Sequence, residues 1–169
     1  MTGWQKTLRF DDPEALLALA RDKSKASREQ LFQTMTEMFA GEAADFGDPE
    51  RSMMSEILRE LVVDVEVAIR RTLAEKLADL PDAPRSLVTF LANDEIEVAH
   101  SILLRSAVLQ DEELIEIIRH RTLEHQLAIA MRRSVSPPVS DALVDTGSDQ
   151  VMETLLENEG AEIDPETLE

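Results

Sequence analysis

Three histidines, a cluster of arginines and a run of carboxylates are the residues of this 169-residue chain that could do chemistry. His100, His120 and His125 could ligate a metal or carry a proton. Two zinc ligands on one helical face need a spacing of four, however, and no pair among the three has it. Asp111-Glu112-Glu113 concentrates negative charge without the glycine-containing pattern of a calcium loop, and three acids in a row suit the positive end of a helix. The five glycines are scattered at Gly3, Gly41, Gly47, Gly147 and Gly160, so no glycine loop cradles a phosphate. With no cysteine, thiol catalysis, disulfides and cysteine-bound zinc drop out together. No catalytic residue, metal site or cofactor is assigned, and the chain reads as non-enzymatic.

The basic residues are different. Between Arg119 and Arg133 stand Arg119, Arg121, Arg132 and Arg133 with His120 and His125, against the single acid Glu124. Each arginine pair falls in the last turn of a helix, where a cation offsets the negative end of the dipole. Alternatively, one pair receives an acidic partner segment. With antiparallel helices the pairs would lie about 15 Å apart, at opposite ends of one helix. Arg119, Arg121, His125, Arg132 and Arg133 are the candidate partner-binding residues.

The elements that must position them are short helices. In Leu91–Ile118, apolar residues recur at Ile96, Ala99 and Leu103, and again at Leu114, Ile117 and Ile118, which is helical spacing on two segments. Asn93 or Asp94 is placed to cap the first helix and Asp111 the second, with the bend over 107–110. At about three turns each they are too short to stand alone in water, so neighbours must cover their apolar faces. The same local grammar recurs: Asp64 before Glu66-Val67-Ala68, Asp94 before Glu97-Val98-Ala99, and Thr122 before Gln126-Leu127-Ala128, with a weaker copy from Ser148. Recurrence near thirty residues, with a small alanine one turn into each helix, suits stacked helical hairpins. Ala68, Ala99 and Ala128 are expected buried at helix contacts, in an all-α chain of ten helices.

The stretches LANDEIEVAHSILLRS, LIEIIRHRTLEHQLAIAMRRSVSPPVSDALV and LLENEGAEI together resemble a bacterial HEAT-like family, domain of unknown function 2336 (DUF2336). The likeness runs from about Met53 to Ile163 and is most specific at Asp94–Ala99 and His125–Ala130. It implies an α-solenoid of short HEAT-like hairpins and brings no catalytic motif.

Elsewhere the chain gives start and stop signals. Trp4 and Phe10 are expected to tuck onto the first helices. Asp12-Pro13-Glu14 opens a helix to about Asp22, and Ser27 with Gln30 forms a capping box for a second. Leu31, Phe32, Met35, Met38 and Phe39 make its apolar stripe. Asp48-Pro49-Glu50 opens a third, with a stripe of Met53, Met54, Ile57, Leu58, Leu61 and Val62. Pro81 and Pro84 separate the helices of the first clear repeat, and Leu87, Val88 and Leu91 point inward from the second of them. Ser136-Pro137-Pro138 starts a short helix closed by Gly147, and Gly160 stops the helix from Asp149. One domain over 1–163 is expected, with N-terminal helices over 1–63 and clearer repeats over 64–163. At 164–169, Asp164-Pro165-Glu166 reads as a tail or the start of a further helix. Val151, Met152, Leu155 and Leu156 form an apolar band that calls for a cover, so a longer natural chain or a homodimer through the C-terminal helices is expected.

A formal charge of −18 opposes approach to a phosphate backbone, and the ten acids between Ser136 and Glu169 with no Lys or Arg sharpen it. Nucleic acid is therefore disfavoured as a partner, the arginine island being its only foothold. No stretch is long and apolar enough to span a membrane, and the acidic start is wrong for a signal peptide. The expectation is a cytoplasmic module that binds a protein or peptide. Nucleic-acid binding and small-ligand sensing are the alternatives.

Overall fold

The computed structural model describes residues 18, 21–41 and 47–168. Among them the α-helices are α1 (Lys25–Gly41), α2 (Asp48–Leu61), α3 (Val67–Ala78), α4 (Arg85–Ala92), α5 (Ile96–Arg105), α6 (Asp111–His120), α7 (Leu123–Ala130), α8 (Pro137–Val144) and α9 (Asp149–Glu157). Short 3-10 turns occupy Val62–Asp64 and Pro165–Leu168. The chain is all-α over these residues, and one isolated bridge, Val135 to Ala161, is the sole β pairing among them. Trp4, Phe10 and most of the helix expected over 12–22 lie outside the described residues, as do the side chains of Met38 and Phe39. Chain contacts divide the protein into two units between Leu73 and Ala74, inside α3.

In the first unit, α1 packs on α2 and buries Leu31, Phe32 and Met35 with Met54, Leu58 and Val62. The α2 stripe is split, since Met53 and Ile57 are exposed. The capping box expected at Ser27 is not made, because α1 begins earlier. Ser24 Oγ accepts from the Ser27 amide, and the Ser27 hydroxyl donates to Asp22 at 2.7 Å. A Lys25–Glu66 ion pair at 2.6 Å adds little stability at an exposed position.

In the second unit the apolar faces lie where the helical period puts them: Leu87, Val88, Leu91 and Ala92 on α4, Val98, Ala99, Ile102 and Leu103 on α5, and Leu114, Ile117 and Ile118 on α6. Helices two apart in chain order pack together: α5 on α7, α7 on α9, and α6 on α8. Chain neighbours α4–α5, α6–α7 and α8–α9 pack as well. Ala99 and Ala128 are fully buried, as expected of alanines that admit a second helix. Ala68 is exposed, against expectation. It lies nine residues before buried Leu77, and nine steps of 100° place it half a turn away, on the solvent side of α3.

Two caps also move by one residue. Glu95 is the N-cap of α5, its amide bonded to Asp94 Oδ1 at 2.8 Å. Gln110 is the N-cap of α6, with Glu113 Oε2 accepting from its amide at 2.6 Å, so Asp111 is the first helical residue. Gly147 closes α8 in the left-handed region, φ 68°, as its type suggests. Gly160 acts otherwise. A Cβ there would stand 1.9 Å from the Arg133 carbonyl oxygen, so glycine is needed for the tail to approach the backbone after α7. There Val135 N donates to Gly160 O at 3.0 Å and Glu162 N to Val135 O at 2.9 Å. The expected helix start at Asp164-Pro165-Glu166 becomes a 3-10 turn, and the Thr167 hydroxyl donates to Asp141 at 2.6 Å.

Candidate functional site

Helix ends leave carbonyls without partners inside the helix. In the second unit, residues one hairpin further along the chain supply donors. Arg105 ends α5 and meets the end of α3, its Nε 3.0 Å from Asp79 and its Nη2 3.5 Å from the Glu75 carbonyl. Arg132 follows α7 and donates to the Leu103 and Ser106 carbonyls at the end of α5, the latter at 2.7 Å. Asn158 follows α9 and donates to the Ala130 and Arg132 carbonyls at the end of α7, at 2.7 and 2.8 Å. Three alternate helices, α3, α5 and α7, are thus closed by Arg105, Arg132 and Asn158.

The arginine island is dispersed by these roles. Arg121 donates to the Asn93 carbonyl beyond α4. Buried His125 reaches the Asp94 carbonyl through Nε2 at 2.9 Å. A carbonyl only accepts, so Nε2 carries the proton, and Nδ1 meets the Thr122 hydroxyl at 2.8 Å. Arg119 and His120 share Glu116 on the exposed face of α6, at 3.8 and 3.2 Å. Burial pulls the Arg132 guanidinium below its usual value and the Asp111 charge opposes that shift. It remains a cation at neutral pH. Arg133 is exposed and makes no ion pair among the described residues.

Arg132 and Arg133 nevertheless come together with a residue that the sequence reading passed over, Arg105. All three line a groove of about 730 Å³ where the turn after α5 faces the turn after α7. Leu104 and Ala107 give it an accessible apolar shelf above the buried Leu109, Leu114 and Val139. The one acid in the lining, Asp111, accepts from the Ser136 hydroxyl at 2.7 Å. Such a concavity suits a ligand with both apolar and anionic groups. Among the described residues, no group of three His, Cys, Asp or Glu is arranged to hold a metal ion. No helix there is long and apolar enough to cross a membrane.

The structure places the four apolar residues of the last helix unequally. Val151 and Leu155 are fully buried within the chain, Met152 is half-buried and Leu156 is 56% exposed. Any cover over this helix would therefore rest on Met152 and Leu156.

No curated protein and no solved structure matches the chain. One family model does, described as "Uncharacterised protein conserved in bacteria (DUF2336)", over residues 98–169, a shorter span than the likeness read from Met53 onward. Over that span, from within α5 to the tail after α9, the chain is similar to the DUF2336 family.

Proposed function

We propose that the chain is a non-catalytic cytosolic interaction module, a HEAT-like repeat surface on which a segment of a partner protein docks in the groove between the α5–α6 and α7–α8 turns. The observation that carries this is the groove itself, in which three arginines and an accessible apolar shelf share one concavity. The HEAT-like part of the reading is supported by helices packing two apart and by the closing residues Arg105, Arg132 and Asn158, which recur 27 and 26 residues apart. Stacked hairpins make extended surfaces of this kind. Nucleic acid suits the molecule less well, because Arg121 and Arg132 spend donors on the chain's own carbonyls and the whole carries −18.

A photoreactive benzoylphenylalanine in place of exposed Ser134, in the groove, tests the proposal against the same group in place of exposed Glu153 on α9. Cross-links formed in native cytosol from position 134 but not from 153, and suppressed by excess unlabelled protein, are expected. Equal labelling from both positions, or none from 134, would remove the groove as a docking site.

A further inference from the structure

We propose that the occupant of this groove is an extended acidic peptide segment of the partner, with one carboxylate held by Arg133 and a neighbouring apolar side chain resting on Leu104 and Ala107. This rests on the groove being the docking site and adds the chemistry of what docks.

The first ground is charge. Arg105, Arg132 and Arg133 against Asp111 leave the lining at +2, within a chain of formal charge −18. A local reversal of sign inside a concavity attracts anions more strongly than the same charge on a convex surface. The three cations differ in how far they are already used. Arg105 is paired with Asp79. Arg132 is held in place by two carbonyls, which fix the guanidinium without neutralising it. Two of its five N–H donors are spent there, and the rest remain for a ligand. Arg133 is exposed, as Arg105 is, but has no ion pair among the described residues. Asp111, which accepts from the Ser136 hydroxyl, offsets one of the three positive charges and leaves the other two.

The second ground is shape. About 730 Å³ holds several residues of an extended chain and is far larger than one small anion needs. Leu104 and Ala107 would add nothing to the binding of a bare phosphate, whereas a peptide that alternates acidic and apolar side chains meets cation and shelf together. Planar guanidinium groups match carboxylates through paired N–H···O bonds, which gives direction as well as attraction. A duplex would bring many phosphates toward a surface whose 136–169 segment holds ten acids and no base.

The probe is a fluorescein-labelled peptide of about twelve residues built from Gly-Glu-Leu repeats, followed by anisotropy with the purified full chain at low salt. Saturable binding is expected, weakened about tenfold or more by Arg133→Glu, with Arg119→Glu changing it less than about twofold. The Gln counterpart of the peptide should not bind. A thermal melt confirms that each variant is folded, and Arg133→Gln serves if the charge reversal is not. Equal binding of the Gln peptide, equal loss from both charge reversals, or displacement by about 1 mM inorganic phosphate would overturn the proposal. So would random duplex that binds more tightly than the peptide and is lost with Arg133→Glu. Failure of the peptide to bind while cross-linking from position 134 persists would overturn the acidic occupant alone. Loss of both would overturn the docking site as well.

Discussion

The side-chain amide of Asn158 lies 2.8 Å from the carbonyl oxygen of Arg132, the residue whose own guanidinium closes the helix one hairpin earlier. Arg132 is thus both a donor to the preceding hairpin and an acceptor for the next.

Asn158→Ala removes donors from the Ala130 and Arg132 carbonyls and an acceptor from the Gly160 amide. Leaving such groups unpaired should destabilise the chain by about 1–3 kcal/mol. Asn158→Asp should be at least as damaging, since a carboxylate would face two carbonyl oxygens. Urea unfolding measures both, and midpoints equal to that of the parent would show that the closure carries no stability.

Ala99→Leu inserts three carbons where α5 is fully buried, and overpacking of this kind should destabilise by about 1–3 kcal/mol. Ala68→Leu falls on an exposed position and should stay within about 0.5 kcal/mol. The two melting temperatures test the division of faces on α3 and α5.

Gly160→Ala drives a methyl group against the Arg133 carbonyl, 1.9 Å away, and requires the tail or the α7–α8 turn to shift. Gly147→Ala meets no neighbour but must hold φ near 68°, a strain of about 1 kcal/mol. Amide exchange should therefore rise at Glu162 in the first variant, where the Val135 pairing is lost, and stay unchanged there in the second.

Burial pushes the Glu113 carboxyl up, but the Arg85 and Gln110 hydrogen bonds, the Arg85 charge and the Thr89 hydroxyl outweigh it and hold the group below its ordinary 4.5. A carboxyl depressed in the folded state binds its proton more readily when unfolded. Its stabilisation is present above about pH 4.5 and is lost as pH falls through the folded value. Glu113→Gln should lower stability at neutral pH and flatten this part of the acid limb. Urea midpoints from pH 7 down to pH 3 measure it, and parallel curves for parent and variant would contradict the assignment.

The helices were legible because their apolar residues recur with the right period, and Ala99 and Ala128 could be placed from spacing alone. Ala68 could not. Its tripeptide matches Glu97-Val98-Ala99, but the phase of a helix is set by which residues its neighbours cover, and α3 covers Leu73, Ala74, Leu77 and Ala78. The arginine island was visible as composition, while the destinations of Arg121 and Arg132, carbonyls 28 and 29 residues back, are fixed by packing between hairpins. Arg105 and Asn158 went unnoticed because neither belongs to a local cluster. Their near-equal spacing from Arg132 was nevertheless written in the chain, and a search for polar residues recurring at that spacing would have found it.

The closing residues impose a direction in time. On a ribosome α5 emerges before Arg132, and α7 before Asn158, so each helix waits for its last hydrogen-bond donors until a further 26 or so residues have been made. At typical synthesis rates that is a delay of roughly 1–5 s, long compared with the folding of a short helix. During it, the leading helix ends remain hydrated and frayed, and the newest hairpin is always the loosest part of the nascent chain.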